Sequence, residues 1–435
     1  MLLYYSLLEI SIMKSFLRNA VLRLLVGLAR IRLKRLRLFI VGVTGSVGKT
    51  STKDAIFTIL NQRYWTFKSN KSYNTEFGLP LAILEQDSGF SSPTKWLKTI
   101  FGALWKAFIG GRHMQMLVIE MGVDKPGDMN ELLKLIQPQV GVMTNIKPVH
   151  LGEGQFQDLD DIFNEKKKLV ESLPEKGIAV LNADDGHIVA LKDKLSCRTL
   201  WYGWAEWADV RVVQAQHSIE GLSFVIQYKD HVVEATVPVL GSFQIYVLLP
   251  AIAVSLTQGF TLEEAVAALR EYKLPPGRMN PIPGLKESLI IDSSYNASPE
   301  AVIQAIDILG ESPARKIAVL GNMNELGKVA EKKHREIGKY VADKADMLIT
   351  VGEFAKYIQE EARENGFLES QSNHFEDARE AADFLKKSIQ KHDTILVKGS
   401  QNKVRLERLV KQLMQEPERA EELLARQGRE WDRIQ

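Results

Sequence analysis

Ten consecutive residues, Val43-Thr44-Gly45-Ser46-Val47-Gly48-Lys49-Thr50-Ser51-Thr52, have the types and spacing needed to grip a phosphate chain. Glycines let backbone N–H groups close around phosphate oxygens, and a helix starting there adds the positive end of its dipole. Lys49 would meet the β- and γ-phosphates, and the Thr50 hydroxyl would ligate Mg²⁺. Thr44, Gly45, Ser46, Gly48 and Ser51 complete the candidate nucleotide cradle. The pattern G-x-x-x-x-G-K-[ST] is displaced, because its first position is Val43 and Gly42 lies one residue earlier. A bare G-K-T-S also suits an ordinary turn. The flanks favour a nucleotide: Leu38-Phe39-Ile40-Val41 reads as a buried strand and Lys53 to Leu60 as a helix, the context a phosphate loop requires.

Other residues sit where a metal or substrate would need them. Met116 to Glu120 is an apolar strand ending in a carboxylate, and ligands of parallel sheets lie beyond strand carboxyl ends. Glu120 is thus expected to hold Mg²⁺ opposite Thr50; a capping or surface role is the bland alternative. His150 follows the strand Val140 to Ile146 and is a candidate metal ligand. Asn74 lies in the polar loop Asn70 to Pro80 and would face substrate; the same loop could be no more than a connection. Lys166, Lys167 and Lys168 lie on the helical stretch Asp158 to Leu173, which by itself is a solvated basic face.

The elements that position these residues follow an α/β rhythm. Ile178 to Asp184 reads as a further strand, residues 198–240 alternate like antiparallel strands, and Leu248 to Gln258 is an apolar helix. Pro275-Pro276-Gly277-Arg278 breaks the pattern as a linker. Short apolar strands then recur at Leu289 to Asp292, Ile317 to Leu320, Met347 to Val351 and Thr394 to Val397, with helical stretches between them. The expected architecture is a central α/β domain over 38–276, with a P-loop and a mostly parallel sheet, and a C-terminal Rossmann-like α/β domain over 277–435. The tail Glu416 to Gln435 reads as an exposed helix.

Composition fits this: 435 residues, 45% apolar and 25% charged, describe a soluble globular chain of two or three domains. One cysteine excludes an internal disulfide and a multi-cysteine metal site, and suits a reducing compartment. Net charge is only +2, which argues against general nucleic-acid binding, yet Lys14 to Arg37 holds eight basic residues and no acidic one. Within residues 1–37, Phe16, Leu17, Ala20, Val21, Leu24 and Leu28 share one helical face. This basic amphipathic segment fits either a peripheral helix on an anionic membrane or a helix packed on the next domain. No uncharged run there approaches the roughly 20 residues of a spanning helix. In Thr94 to Ile109, Trp96, Ile100, Leu104 and Phe108 recur every four residues beside Phe101 and Trp105. That stripe reads as core; the lack of acidic residues between Asp87 and Glu120 leaves a membrane-facing surface as the alternative.

Taken together, the loops resemble the Mur ligase family over roughly residues 38–415. The phosphate loop resembles the family's T-G-x-x-G-K-T-[ST]. Asn74-Thr75-Glu76-Phe77-Gly78-Leu79-Pro80 resembles N-x-E-x-G-x-P, and Glu120-Met121-Gly122 with Pro126-Gly127-Asp128 resembles E-[LM]-G…P-G-[ED]. Asn145-Ile146, with His150 soon after, is similar to N-[IL]…A-H-L. Asp292 to Pro299, Gly321 to Gly327 and Val397 to Ser400 resemble the segments of the members that add D-alanyl-D-alanine to a muramoyl-tripeptide.

The resemblance implies ATP-dependent amide-bond formation in peptidoglycan precursor synthesis through an acyl phosphate, with ATP and two Mg²⁺ ions. It implies metal ligation by Thr50, Glu120, His150 and a carbamylated Lys166, and charge on the γ-phosphate from Arg278. Asn296 would bind nucleotide, and Asn74, Asn322 and Lys398 would bind substrate. A muramoyl-peptide acceptor and D-alanyl-D-alanine are the implied partners of a monomeric, cytoplasmic enzyme. Ser293, Phe243-Gln244, Val247 and Asn322 depart from the family pattern on the nucleobase side. Relatives carry a UDP-sugar-binding domain before the phosphate loop where this chain has about 40 residues, so a shortened ligase is expected. The alternatives are a related poly-γ-glutamate or folylpolyglutamate synthetase, and a nucleotide-binding scaffold without catalysis.

Overall fold

A computed structural model describes residues 2–69, 77–87, 93–111, 113–149, 154–218, 221–324, 326–400, 404–427 and 431, with side chains placed from residue 18 onward except at 93. The chain forms two compact units. The first holds Met1–Gln214, Val225–Ala235 and Ile245–Tyr272; the second holds Ala215–Phe224, Thr236–Gln244 and Lys273–Gln435.

The main sheet contains β1 (Phe39–Thr44), β2 (Thr66–Lys68), β3 (Met116–Glu120), β4 (Val140–Met143), β5 (Ile178–Asn182), β6 (Arg198–Gly203), β7 (Val210–Ser218), β8 (Gly221–Tyr228) and β9 (His231–Val237). Their order is β2-β3-β1-β4-β5-β6-β7-β8-β9. The pairs from β2 through β7 are parallel. β1, β3 and β4 are nearly continuous buried apolar runs, as strands covered on both faces must be. Register places Val43 beside both Glu120 and Val142, so three strands end together.

The helices that matter for the site are α1 (Leu2–Leu36), α2 (Lys49–Leu60), α3 (Gly78–Ile83), α4 (Pro93–Phe108), α5 (Asp128–Leu133) and α6 (Leu159–Glu171). The later half of α1 packs on α3 and α4. Its buried row is Leu25, Leu28, Ala29 and Arg32, whereas Ala20 and Leu24 of the expected face are exposed. The row is set by what α1 touches. Arg32 donates to the Ile83 carbonyl (2.9 Å) and pairs with Glu85, which also takes Lys106 (2.5 Å). Arg35 donates to the carbonyls of Lys106 (3.0 Å), Phe108 (3.1 Å) and Gly110 at the end of α4. Helix ends expose carbonyls that need such donors.

α4 divides its aromatic stripe: Trp96 and Leu104 pack against the core as expected, Trp96 edge-on to Phe77, and Ile100 is half-buried. Thr99, Ala103 and Ala107 face inward, while Phe101 and Trp105 are exposed, 70% and 58%, and Phe108 with them. Small side chains let α1 approach closely, which leaves those three outside. Among the described residues no helix is long and apolar enough to cross a membrane.

The second unit is built on β10 (Asn280–Pro283), β11 (Leu289–Ser293), β12 (Lys316–Gly321), β13 (Met347–Val351), β14 (Ser372–Phe375) and β15 (Thr394–Lys398), in the order β10-β11-β15-β12-β13-β14. All pairs are parallel except β10 with β11. Sequence patterning did not reveal β10 or β14. β10 carries two prolines, tolerable only at an edge, and β14 is four mostly polar residues. Over 416–427 the tail is not a continuous exposed helix: it makes short turns at Pro417–Arg419 and Ala420–Leu423, and buries Ala420, Leu424 and the Arg426 side chain.

Candidate active site

The loop between β1 and α2 turns on two glycines with positive φ, Gly45 (142°) and Gly48 (85°). A Cβ at Gly45 would collide with the Thr144 hydroxyl. The segment after β4 holds the loop from beside. Ser46 N–H donates to the Asn145 carbonyl (2.8 Å) and Val47 N–H to Asn145 Oδ1 (2.9 Å), while Thr144 Oγ1 donates to the Val47 carbonyl (2.7 Å). The Ser46 hydroxyl bridges Lys147 N–H and its carbonyl. Asp185 in turn accepts from Ile146 N–H (2.7 Å). Thr44 Oγ1 donates to the Met121 carbonyl (2.8 Å), and Tyr272 OH to that of Ser51 (3.0 Å). Gly48 precedes α2 without a side-chain cap, so the first N–H groups of α2 face the loop's opening.

Four predicted charged or polar groups meet at this strand end. Thr50 Oγ1 donates to Glu120 Oε2 (2.7 Å), and Glu120 is buried. Lys49 Nζ donates to the Ser46 carbonyl (3.2 Å). Lys166 on α6 is buried, and it is the one of the three neighbouring lysines that is; Lys167 pairs with Glu171 (3.6 Å) and Lys168 with Glu165 (2.6 Å). Burial first, then the Lys49 ammonium, pushes Lys166 down to about 7, against the pull of Asp124, Glu120 and Glu165. Asp158 caps α6 by accepting from Asp161 N–H. Asn74 and His150 lie outside the described residues.

A hydroxyl and a buried carboxylate are hard oxygen donors that suit Mg²⁺, which keeps several waters and takes phosphate oxygens. Among the described residues no three His, Cys, Asp or Glu side chains converge on one point.

In the second unit, Lys398 is buried and donates to the Asn296 carbonyl (2.6 Å) and to Ser293 Oγ (3.1 Å). Burial and the Arg278 charge hold it at about 8, against Asp292. Asp292, pushed up to about 6 by burial, accepts from Ser294 N–H. The Arg278 guanidinium lies over the Tyr295 ring (4.6 Å), and Tyr295 N–H donates to the Gly277 carbonyl. Asn322 Oδ1 accepts from Phe354 and Ala355 N–H (both 3.0 Å), so its side chain organises the turn after β13.

Sequence reading missed several participants. Lys53, one helical turn after Lys49, is buried and donates to the Ser69 carbonyl at the edge of the loop that carries Asn74. Burial lowers it most, offset in part by Asp54 and Glu120. A lysine on the inward face of α2 was the available signal. Arg426 reaches the carbonyls of Ser294 and Tyr295 and lies over the Tyr295 ring (4.9 Å). Nothing local in the charged tail marks it.

A phosphate loop after β1, a strand-end glutamate on β3 and a second α/β unit define an ATP-dependent ligase of one class, and the chain belongs to the Mur ligase family. Residues 43–255 match the Mur ligase middle domain and residues 277–401 the Mur ligase glutamate ligase domain. The chain is 30% identical over 396 residues to the UDP-N-acetylmuramoyl-tripeptide–D-alanyl-D-alanine ligase of Bacillus subtilis, covering 90% of this chain and 79% of that one. The structure of MurF from Thermotoga maritima in complex with ADP superposes with TM-score 0.72 at 27% identity, over 92% of this chain and 84% of that one. MurF from Acinetobacter baumannii shares the fold, with TM-score 0.76 at 24% identity over 89% and 79% of the two chains.

Proposed function

We propose that this chain forms an amide bond between a muramoyl-tripeptide carboxylate and the amine of D-alanyl-D-alanine, at the expense of ATP. The γ-phosphoryl group passes to the carboxylate oxygen with release of ADP. The amine then attacks the acyl carbon, and inorganic phosphate leaves. Such a reaction asks the protein for positioning and charge neutralisation. The single observation that carries the reading is the meeting of Lys49, Thr50, Glu120 and Lys166 at one strand end. Lys49 neutralises the phosphates, and α2 presents N–H groups to them. Thr50 and Glu120 would hold one Mg²⁺ and His150 would serve a second, and the ions would supply Lewis-acid stabilisation.

Lys166 carries a carbamate in this reading. An amine near neutral pKa has the free base that carbon dioxide needs, and the product is an oxygen ligand. Arg278 and Asn296 bind nucleotide, and Asn74, Asn322 and Lys398 bind substrate. A peripheral seat on an anionic membrane face belongs to the reading too, supported by Arg23, Arg30 and Lys34, which α1 exposes, and by the exposed Arg37 just after it.

The test is phosphate release from ATP with candidate acceptors and D-alanyl-D-alanine supplied in pairs. Release should require both. Lys49→Ala and Glu120→Ala should each lower it by about a hundredfold or more, as for loss of a charge-stabilising group. Lys166→Ala should lose activity and regain part of it with a small added carboxylate. Release that ignores the acceptor, or survives Lys49→Ala, ends the ligase reading.

A further inference from the structure

The outer face of α4 has no use in the chemistry above, and it is apolar where a helix of a water-facing protein would be polar. Leu97, Phe101, Trp105 and Phe108 follow one another at spacings of four, four and three, so they share one side of the helix. All four are more than half exposed, and Phe101 reaches 70%. The side that faces the unit's core carries the buried Thr99, Ala103 and Ala107, flanked by Trp96 and Leu104, which pack against that core. A helix stabilised only by the core needs one apolar side, and α4 carries a second one facing outward.

The charges that α4 itself carries have one sign, the nearby Glu85 being paired with Lys106 and Asp87 lying beside Thr99 on the inward side. Lys98 is exposed in the same arc, and no acidic residue occurs from Ser88 to Ile119. α1, packed on α4, exposes Leu24 and Ile31 beside Arg23 and Arg30. Phenylalanine, tryptophan and leucine flanked by lysine and arginine are the residue types that enter the headgroup boundary of an anionic bilayer. Like charge on every copy opposes pairing of this ridge with itself.

We propose that the outer face of α4 is the surface by which this protein lies on an anionic lipid membrane, with the aromatic ridge entering the headgroup boundary. It rests on the peripheral-membrane part of the function proposed above, not on the ligase part, and assigns the seat to α4 as well as to α1.

The experiment is co-sedimentation of the full chain with vesicles of phosphatidylglycerol and phosphatidylcholine, and with phosphatidylcholine alone. The comparison variants are Phe101→Ser/Trp105→Ser on α4 and Arg23→Ser/Arg30→Ser on α1. The wild type should bind the anionic vesicles and lose most binding in high salt. The α4 variant should bind at least tenfold more weakly while keeping its thermal transition and its phosphate release. The α1 variant should lose salt-sensitive affinity but keep a residual attraction.

If the wild type ignores both vesicle types, the membrane reading as a whole falls. If the α4 variant binds like the wild type, the seat is α1 alone and this assignment is overturned. A wild type that ignores vesicles and sediments as a dimer, with a monomeric α4 variant, makes the ridge a contact between copies and overturns it as well.

Discussion

Arg32→Met asks whether α1 is an integral part of the first unit. The Arg32 side chain is fully buried, and Glu85 is 21% exposed. The substitution removes a charge-assisted bond to Glu85, worth about 2 kcal/mol, and leaves the buried Ile83 carbonyl without that donor, worth about 1 kcal/mol. Methionine keeps most of the apolar stem, so the cavity contribution is small. The sum, about 3 kcal/mol, lies at the low end of the range for breaking a buried pair, because Glu85 retains Lys106.

Urea unfolding of the full chain is the assay. The transition of the unit that contains α1 should lose about 3 kcal/mol, and a cycle with Glu85→Gln should give a coupling of about 1–3 kcal/mol. The effect has a pH signature. Burial raises Glu85, but the bonds from Lys106 and Arg32 outweigh it and hold the carboxyl below its ordinary value of 4.5. A carboxylate with a lowered folded value stabilises above its unfolded value, and the gain is lost as pH falls through the folded one. The gap between wild type and Arg32→Met should therefore be full near neutrality and narrow below pH 4.5. A loss under about 1 kcal/mol, or a gap that widens in acid, would refute the argument that α1 is anchored through this pair.

Two other substitutions probe the loops that carry the site. Gly45→Ala forces a side chain into a positive-φ position against Thr144, so ADP affinity by calorimetry should fall at least tenfold; unchanged affinity would mean that the loop rearranges freely. Asn322→Ala leaves the Phe354 N–H of the turn after β13 without its acceptor, while the Ala355 N–H keeps the Gly352 carbonyl, and should cost the second unit about 1 kcal/mol, read as a lower thermal midpoint; no shift would free Asn322 for a purely substrate-facing role.

The sequence by itself determined the β1–loop–α2 unit, since glycine placement, the apolar strand and Lys49-Thr50 all act within about 20 residues. It also marked Glu120, because an apolar run ending in a carboxylate is legible without knowing its neighbours. It picked Lys166 over its neighbours only through family likeness. What isolates Lys166 physically is the burial of one side of α6, which no local pattern reports. Tertiary structure alone decided which face of α1 is inside, because Arg32 is held there by Ile83 and Glu85, some 50 residues away. It decided that Arg426 grips the Tyr295 turn across 131 residues, since a charged tail looks solvated until a buried Glu407 and two carbonyls receive it. And it divided the apolar residues of α4: periodicity specifies that helical sides are apolar, but packing on α1 and the core decided that Trp96, Leu104 and the alanines go in while Phe101, Trp105 and Phe108 stay out.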